Sequence, residues 1–86
     1  MAKKQWKIGE YCEGGILSVE IKGKNVVISC LDWNTKKPVR ICNFLDYEIN
    51  DMNNNLNDMT SSYYADKVLT WIKENIPKRA AGVNMW

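Results

Sequence analysis

Residues 16–31, Ile16-Leu17-Ser18-Val19-Glu20-Ile21-Lys22-Gly23-Lys24-Asn25-Val26-Val27-Ile28-Ser29-Cys30-Leu31, decide the fold. From Leu17 to Lys22 apolar and polar side chains alternate, the two-residue period of a strand with one buried face. Gly23-Lys24 interrupts the pattern, and glycine supplies the positive φ that a two-residue hairpin turn requires. Placing the turn there fixes a register: Ile21 faces Val26, Val19 faces Ile28 and Leu17 faces Cys30. All three pairs are apolar, as a core face demands. The opposite face pairs Lys22 with Asn25, Glu20 with Val27, Ser18 with Ser29 and Ile16 with Leu31.

Working outward, a second hairpin turns near Asn34-Thr35-Lys36-Lys37-Pro38. A three-residue loop over 35–37 pairs Trp33 with Val39, Asp32 with Arg40, Leu31 with Ile41, Cys30 with Cys42 and Ile28 with Phe44. It matches a charge pair and keeps Cys42 and Phe44 inward. Upstream, residues 6–12 read as a strand joining one edge, with Gly14-Gly15 forming a sharp turn or bulge before Ile16. Downstream, Asp46 is placed to cap a helix whose stripe is Ile49, Met52, Leu56 and Met59. Its asparagines make it a poor helix by propensity, so docking must hold it. Thr60-Ser61-Ser62 breaks that helix and caps a second, with stripe Ala65, Val68, Leu69, Ile72 and Ile76, ended by Pro77. The reading is an α+β fold: a four-stranded antiparallel meander followed by two C-terminal helices packed on the sheet. It makes residues 1–77 a single domain and 78–86 a flexible tail.

The chain has 86 residues, 12 Lys and Arg against 10 Asp and Glu, three cysteines and no histidine. That length makes one small domain with a thin core. Without histidine, Ser-His-Asp and Cys-His nucleophiles, His-ligated metals and the usual neutral-pH acid–base group are excluded. No enzymatic activity, catalytic residue, metal or cofactor is expected. Cys12, Cys30 and Cys42 lack CxxC spacing and read as small packed residues in a reducing, cytoplasmic setting. No apolar run is long enough for a membrane span. The glycine-rich stretch 9–15 lacks the GxxxxGK pattern of a phosphate loop.

The net charge of +2 divides unevenly. Residues 1–45 carry eight basic and four acidic side chains, whereas residues 46–77 carry two and six. A basic sheet is thus joined to an acidic helical pair, a polarity that steers an anionic partner to the sheet side. Aromatics Trp6, Tyr11, Trp33 and Phe44 are interleaved there with Lys3, Lys4, Lys7, Lys22, Lys24, Lys36, Lys37 and Arg40. Interleaving of that kind suits single-stranded nucleic acid, where bases stack on rings and phosphates meet cations. Trp33, with Trp6 or Tyr11, is the candidate stacking group. On the sheet face opposite the core, Ile16, Leu31, Trp33, Val39 and Ile41 form an apolar cluster that two helices on one face leave uncovered. It marks a protein interface or a homodimer contact.

The stretches Ile8-Gly9, Leu17-Ser18-Val19, Lys22-Gly23-Lys24, Val27-Ile28, Asp32-Trp33 and Lys37-Pro38 together resemble the positive-cofactor-four family of transcriptional coactivators. The resemblance covers about 37 residues. It implies four antiparallel strands followed by a helix, dimerisation and single-stranded DNA binding across the sheet. The contact residues it implies are Lys7, Lys22, Lys24, Trp33, Lys36, Lys37 and Arg40. The function expected is therefore a small, non-enzymatic, dimeric binder of single-stranded DNA. The alternative is a protein-interaction module, such as a small phage-encoded regulator or inhibitor, acting through Ile16, Leu31, Trp33, Val39 and Ile41.

Overall fold

The computed structural model describes residues 2–45 and 49–76. Four strands, β1 (Ala2–Lys7), β2 (Gly15–Lys22), β3 (Asn25–Asp32) and β4 (Pro38–Phe44), form one antiparallel sheet in the order β1-β2-β3-β4. Two helices follow, α1 (Ile49–Met59) and α2 (Ser62–Asn75). The fold is the α+β meander with two C-terminal helices that the sequence pattern implies. The Asp46 cap, Pro77 and the tail 78–86 lie outside the described residues. Among those described, no helix is long and apolar enough to cross a membrane.

The β2–β3 register is the one set by the Gly23-Lys24 turn, from Lys22↔Asn25 to Ile16↔Leu31. Gly23 takes φ +60 and Lys24 a negative φ, the pattern of a II′ turn whose twist matches the flanking strands. The β3–β4 register differs from expectation. Asp32 N–H donates to Lys37 O at 2.9 Å, closing a four-residue loop, Trp33–Lys36. Leu31 then faces Pro38 and Cys30 faces Arg40, which leaves Val39 as an extra residue in a bulge. Beyond it Ile28 faces Cys42 and Val26 faces Phe44, so the Cys30–Cys42, Asp32–Arg40 and Ile28–Phe44 pairings do not form. The physical reason is phase. A straight ladder from this loop would turn Cys42 and Phe44 outward, and the bulge returns them to the core face.

The first strand also moves. It is Ala2–Lys7, not residues 6–12, and Gly9–Tyr11 is a single 3-10 turn. That turn carries Ile8 and Cys12 into the core at the open end of the sheet. Gly14 follows at φ +81, where an added Cβ would stand 2.5 Å from the Leu31 carbonyl oxygen. Only glycine allows β3 to approach this closely.

Both helices lie on one sheet face. Met52, Leu56, Met59, Ala65, Val68, Leu69 and Ile72 join Leu17, Val19, Ile21, Val26, Ile28 and Cys30 in one buried cluster. Five asparagines in α1 cost about 0.6 kcal/mol each against alanine, roughly 3 kcal/mol together. Burying Met52, Leu56 and Met59 returns about 1.5–3 kcal/mol each, so docking outweighs the poor propensity. In α2, Ser61 is the N-cap, its Oγ accepting from Tyr64 N–H at 3.4 Å. Ile76, preceding Pro77, is extended (φ −80, ψ 157), as residues before proline prefer.

Candidate nucleic-acid interface

The face away from the helices is built by strand alternation. Cross-strand pairing arranges it in rows: Lys3–Glu20–Val27–Asn43, then Gln5–Ser18–Ser29–Ile41, then Lys7–Ile16–Leu31–Pro38. Lys22 and Asn25 close it at the β2–β3 turn. Its middle row is polar from β1 to β3 and ends in the exposed Ile41 of β4, and its outer β1 positions are basic. A shallow groove of about 410 Å³ crosses this face, lined by Lys3, Gln5, Ser18, Glu20, Val27, Ser29, Leu31, Lys36 and Pro38. Two lysines from opposite ends of the sheet order, Lys3 on β1 and Lys36 beyond β3, therefore share one groove.

The β3–β4 loop holds Lys36 and Trp33 in place. Asp32 Oδ1 accepts from Asn34 and Thr35 N–H at 2.8 and 2.9 Å, a side-chain-closed turn. Those donors, with the Lys36 charge, hold the Asp32 carboxyl below its ordinary pKa. Lys36 adopts φ +63, a left-handed conformation that a side chain tolerates at a cost. Its ammonium donates to Trp33 O at 2.6 Å and sits 5.8 Å from the Trp33 ring centroid. Trp33 N–H donates to Gly14 O at 2.7 Å, and its ring lies against Gly15, where an added Cβ would stand 3.0 Å away. Trp33 remains 47% exposed. An indole braced on backbone and half exposed can stack on a base.

The residues singled out from the sequence do not all converge. Lys7 and Lys36 belong to the open face or its groove, and Trp33 and Lys37 to the loop beside them. Lys22 and Lys24 lie at the opposite end of the β2–β3 hairpin, and Lys22 Nζ is 3.7 Å from Glu20 Oε1. Arg40 is on the helix-covered face. Opposite Cys30, it donates from Nη2 to Asp58 Oδ2 of α1 at 3.0 Å, so it stands apart from the open-face groove. Trp6 is also on the covered face, edge-on to Trp71 of α2 at 6.0 Å, and is no free stacking platform. In the apolar set, Ile16 is 1% exposed and Leu31 half-buried, whereas Val39 and Ile41 are 47% and 59% exposed at the β4 edge.

The cysteines are arranged differently from the sequence reading. Cys12 and Cys30 are the neighbouring thiols. Burial raises both pKa values, that of Cys30 to about 11. Among the described residues no three His, Cys, Asp or Glu side chains gather as a metal site. Gln5, Ser18 and Ser29 are groove residues that the sequence pattern does not single out, whereas Lys3 is one of the cations it does. A first strand begun at Ala2 would have exposed the row Gln5–Ser18–Ser29. No protein family, curated protein or solved structure matches the chain.

Proposed function

We propose that the open sheet face binds single-stranded nucleic acid, with single-stranded DNA as the form favoured, and that the protein acts by binding without catalysing a reaction. The observation that carries this reading is the groove with Lys3 and Lys36 as its cations over a mixed floor, polar at Gln5, Ser18 and Ser29 and apolar at Val27, Leu31 and Pro38, with Glu20 its one carboxylate. The flanking cations suit phosphates. The exposed Gln5 amide and the half-buried Ser29 hydroxyl offer donors and acceptors to base edges, and Trp33 offers a ring to one base. The resemblance to the positive-cofactor-four family points the same way.

The test is fluorescence anisotropy of labelled oligothymidine, with a duplex of equal length for comparison, at two or more salt concentrations. Four lysines, Lys3, Lys7, Lys36 and Lys37, are placed to meet phosphates near the groove. A single strand held by about four cations gives a slope of log K against log salt of about −3. Preference for duplex, or no salt-dependent binding at micromolar protein, refutes the reading.

A second reading, a protein-interaction surface or homodimer contact, is favoured by one observation. Val39 and Ile41 are exposed together on β4, an edge strand. Under this reading, Trp33→Ser with Ile41→Ser abolishes association and leaves the fold intact. Charge reversal at Lys24 and Lys36 harms only nucleic-acid binding.

A further inference from the structure

Around the end of the sheet from Trp33, the 3-10 turn meets the start of α2 in a run of three tyrosines. Tyr11 and Tyr64 have ring centroids 5.5 Å apart at 51°, and Tyr64 and Tyr63 are 5.1 Å apart at 83°. Tyr64 is half-buried against the core and suffices to fasten the turn to α2. Tyr11 and Tyr63 remain 51% and 62% exposed, although each touches another ring. Rings recruited only to hold the turn would be covered. These two keep more than half of their surface open to solvent.

The surrounding charge selects the partner. Glu10 and Glu13 flank Tyr11 and are exposed, and among the described residues neither joins a salt bridge. Asp66 lies one turn along α2 from Ser62 and, with Tyr63, lines a concavity of about 500 Å³. The one cation in this group, Lys67, sits 5.0 Å from the Tyr63 ring centroid. The patch is net acidic and repels phosphate, so it does not continue the nucleic-acid groove. It favours an uncharged chain carrying a positive group.

We propose that Tyr11, Tyr64 and Tyr63 form a docking surface for a proline-rich peptide in polyproline II conformation, with a basic residue of the peptide beside Glu10 and Glu13. The rings touch one another, and the exposed surfaces of Tyr11 and Tyr63 on either side of Tyr64 give pyrrolidine rings apolar area to pack against. Polyproline II rises about 3.1 Å per residue with three residues per turn, so the trio spans about one turn. Such a chain has little entropy to lose, and aromatic-lined grooves exploit that. The concavity beside Tyr63 gives the peptide room to continue.

The experiment is an amide NMR titration of the full chain with a synthetic proline-rich peptide ending in arginine. The expected result is shifts confined to residues 9–13 and 61–67, with weak, saturable binding. Tyr63→Ala and Tyr11→Ala each weaken binding by about tenfold. Glu13→Lys weakens it and removes its salt dependence. The variant spectra report folding directly, and both tyrosines are exposed enough to be removed without loss of core. The same peptide with alanine for proline does not bind. Absent shifts, shifts on the open sheet face, equal binding of the alanine peptide, or movement of the same amides by oligothymidine each overturn the proposal. Because it shares no residue with the groove, it stands or falls apart from nucleic-acid binding.

Discussion

Gly14→Ala tests how the β3–β4 loop is anchored beside the groove. Gly14 has φ +81, and its carbonyl accepts the Trp33 N–H at 2.7 Å. An alanine there takes on a left-handed conformation, at about 1–2 kcal/mol. Its Cβ also meets the Leu31 carbonyl oxygen at 2.5 Å, the Leu31 carbonyl carbon at 2.8 Å and Asp32 N at 3.0 Å. All three are backbone atoms of a paired strand, so relief requires moving β3, and overpacking of this kind costs about 1–3 kcal/mol more. The total, about 2–5 kcal/mol, is a large share of the ~5–15 kcal/mol that holds a typical domain folded. Gly23→Ala is the matched control. Its φ is +60 and nothing stands within 4 Å of an added Cβ, so it incurs only the conformational cost. Urea unfolding followed by tryptophan fluorescence measures both variants. Gly14→Ala should lose about 1–3 kcal/mol more than Gly23→Ala. At about 4–8 °C per kcal/mol for a domain of this size, that separates their Tm values by roughly 5–20 °C. Equal losses refute the claim that close strand approach, rather than φ alone, requires glycine at position 14.

Three further outcomes follow from the same geometry. Reversing charge at Lys3 and Lys36 together should lower oligonucleotide affinity and reduce the magnitude of the salt slope by about 1–2, whereas reversal at Arg40, bonded to Asp58 beneath the sheet, should leave the slope unchanged. Ser61→Ala should cost about 1 kcal/mol in urea unfolding through loss of the α2 cap, and Ser61→Gly less. The Cys30 pKa is raised above the value its thiol has in the unfolded chain. Its contribution to stability is therefore complete below about pH 9 and is lost as pH rises towards about 11. Replacing Cys30 with alanine should flatten that alkaline limb of the stability profile, and an unchanged limb counts against burial as its cause.

The sheet was most legible where turn chemistry and alternation agreed. Gly23 announced a positive φ, the apolar pairs on either side admitted one register, and that register is the one formed. The β3–β4 loop gave no such signal. Its left-handed residue is Lys36 rather than glycine or asparagine, and a valine in a bulge looks like any strand valine. Asp32 suits an ion pair with Arg40 by charge and a loop cap by its short side chain, and the cap to Asn34 and Thr35 N–H is what forms. Lys3, Lys4 and Gln5 lack the apolar run of a buried strand, since β1 is an edge with only Trp6 and Ala2 packed against the core. The groove depended on that edge, so it was half legible: the cations Lys3 and Lys36 from composition, the polar row only from the sheet.

The bulge at Val39 bears on how the chain can change in length. β2 and β3 are paired without interruption from Gly15↔Asp32 to Lys22↔Asn25, so removing a residue within either strand inverts every side chain beyond the cut. The β4 strand holds one residue in reserve. Deletion at any position from Val39 to Ile41 can be absorbed by straightening the strand, with Cys42 still opposite Ile28 and Phe44 opposite Val26. This stretch is where related sequences of unequal length can share one core, and where shortening the chain by a residue is least harmful.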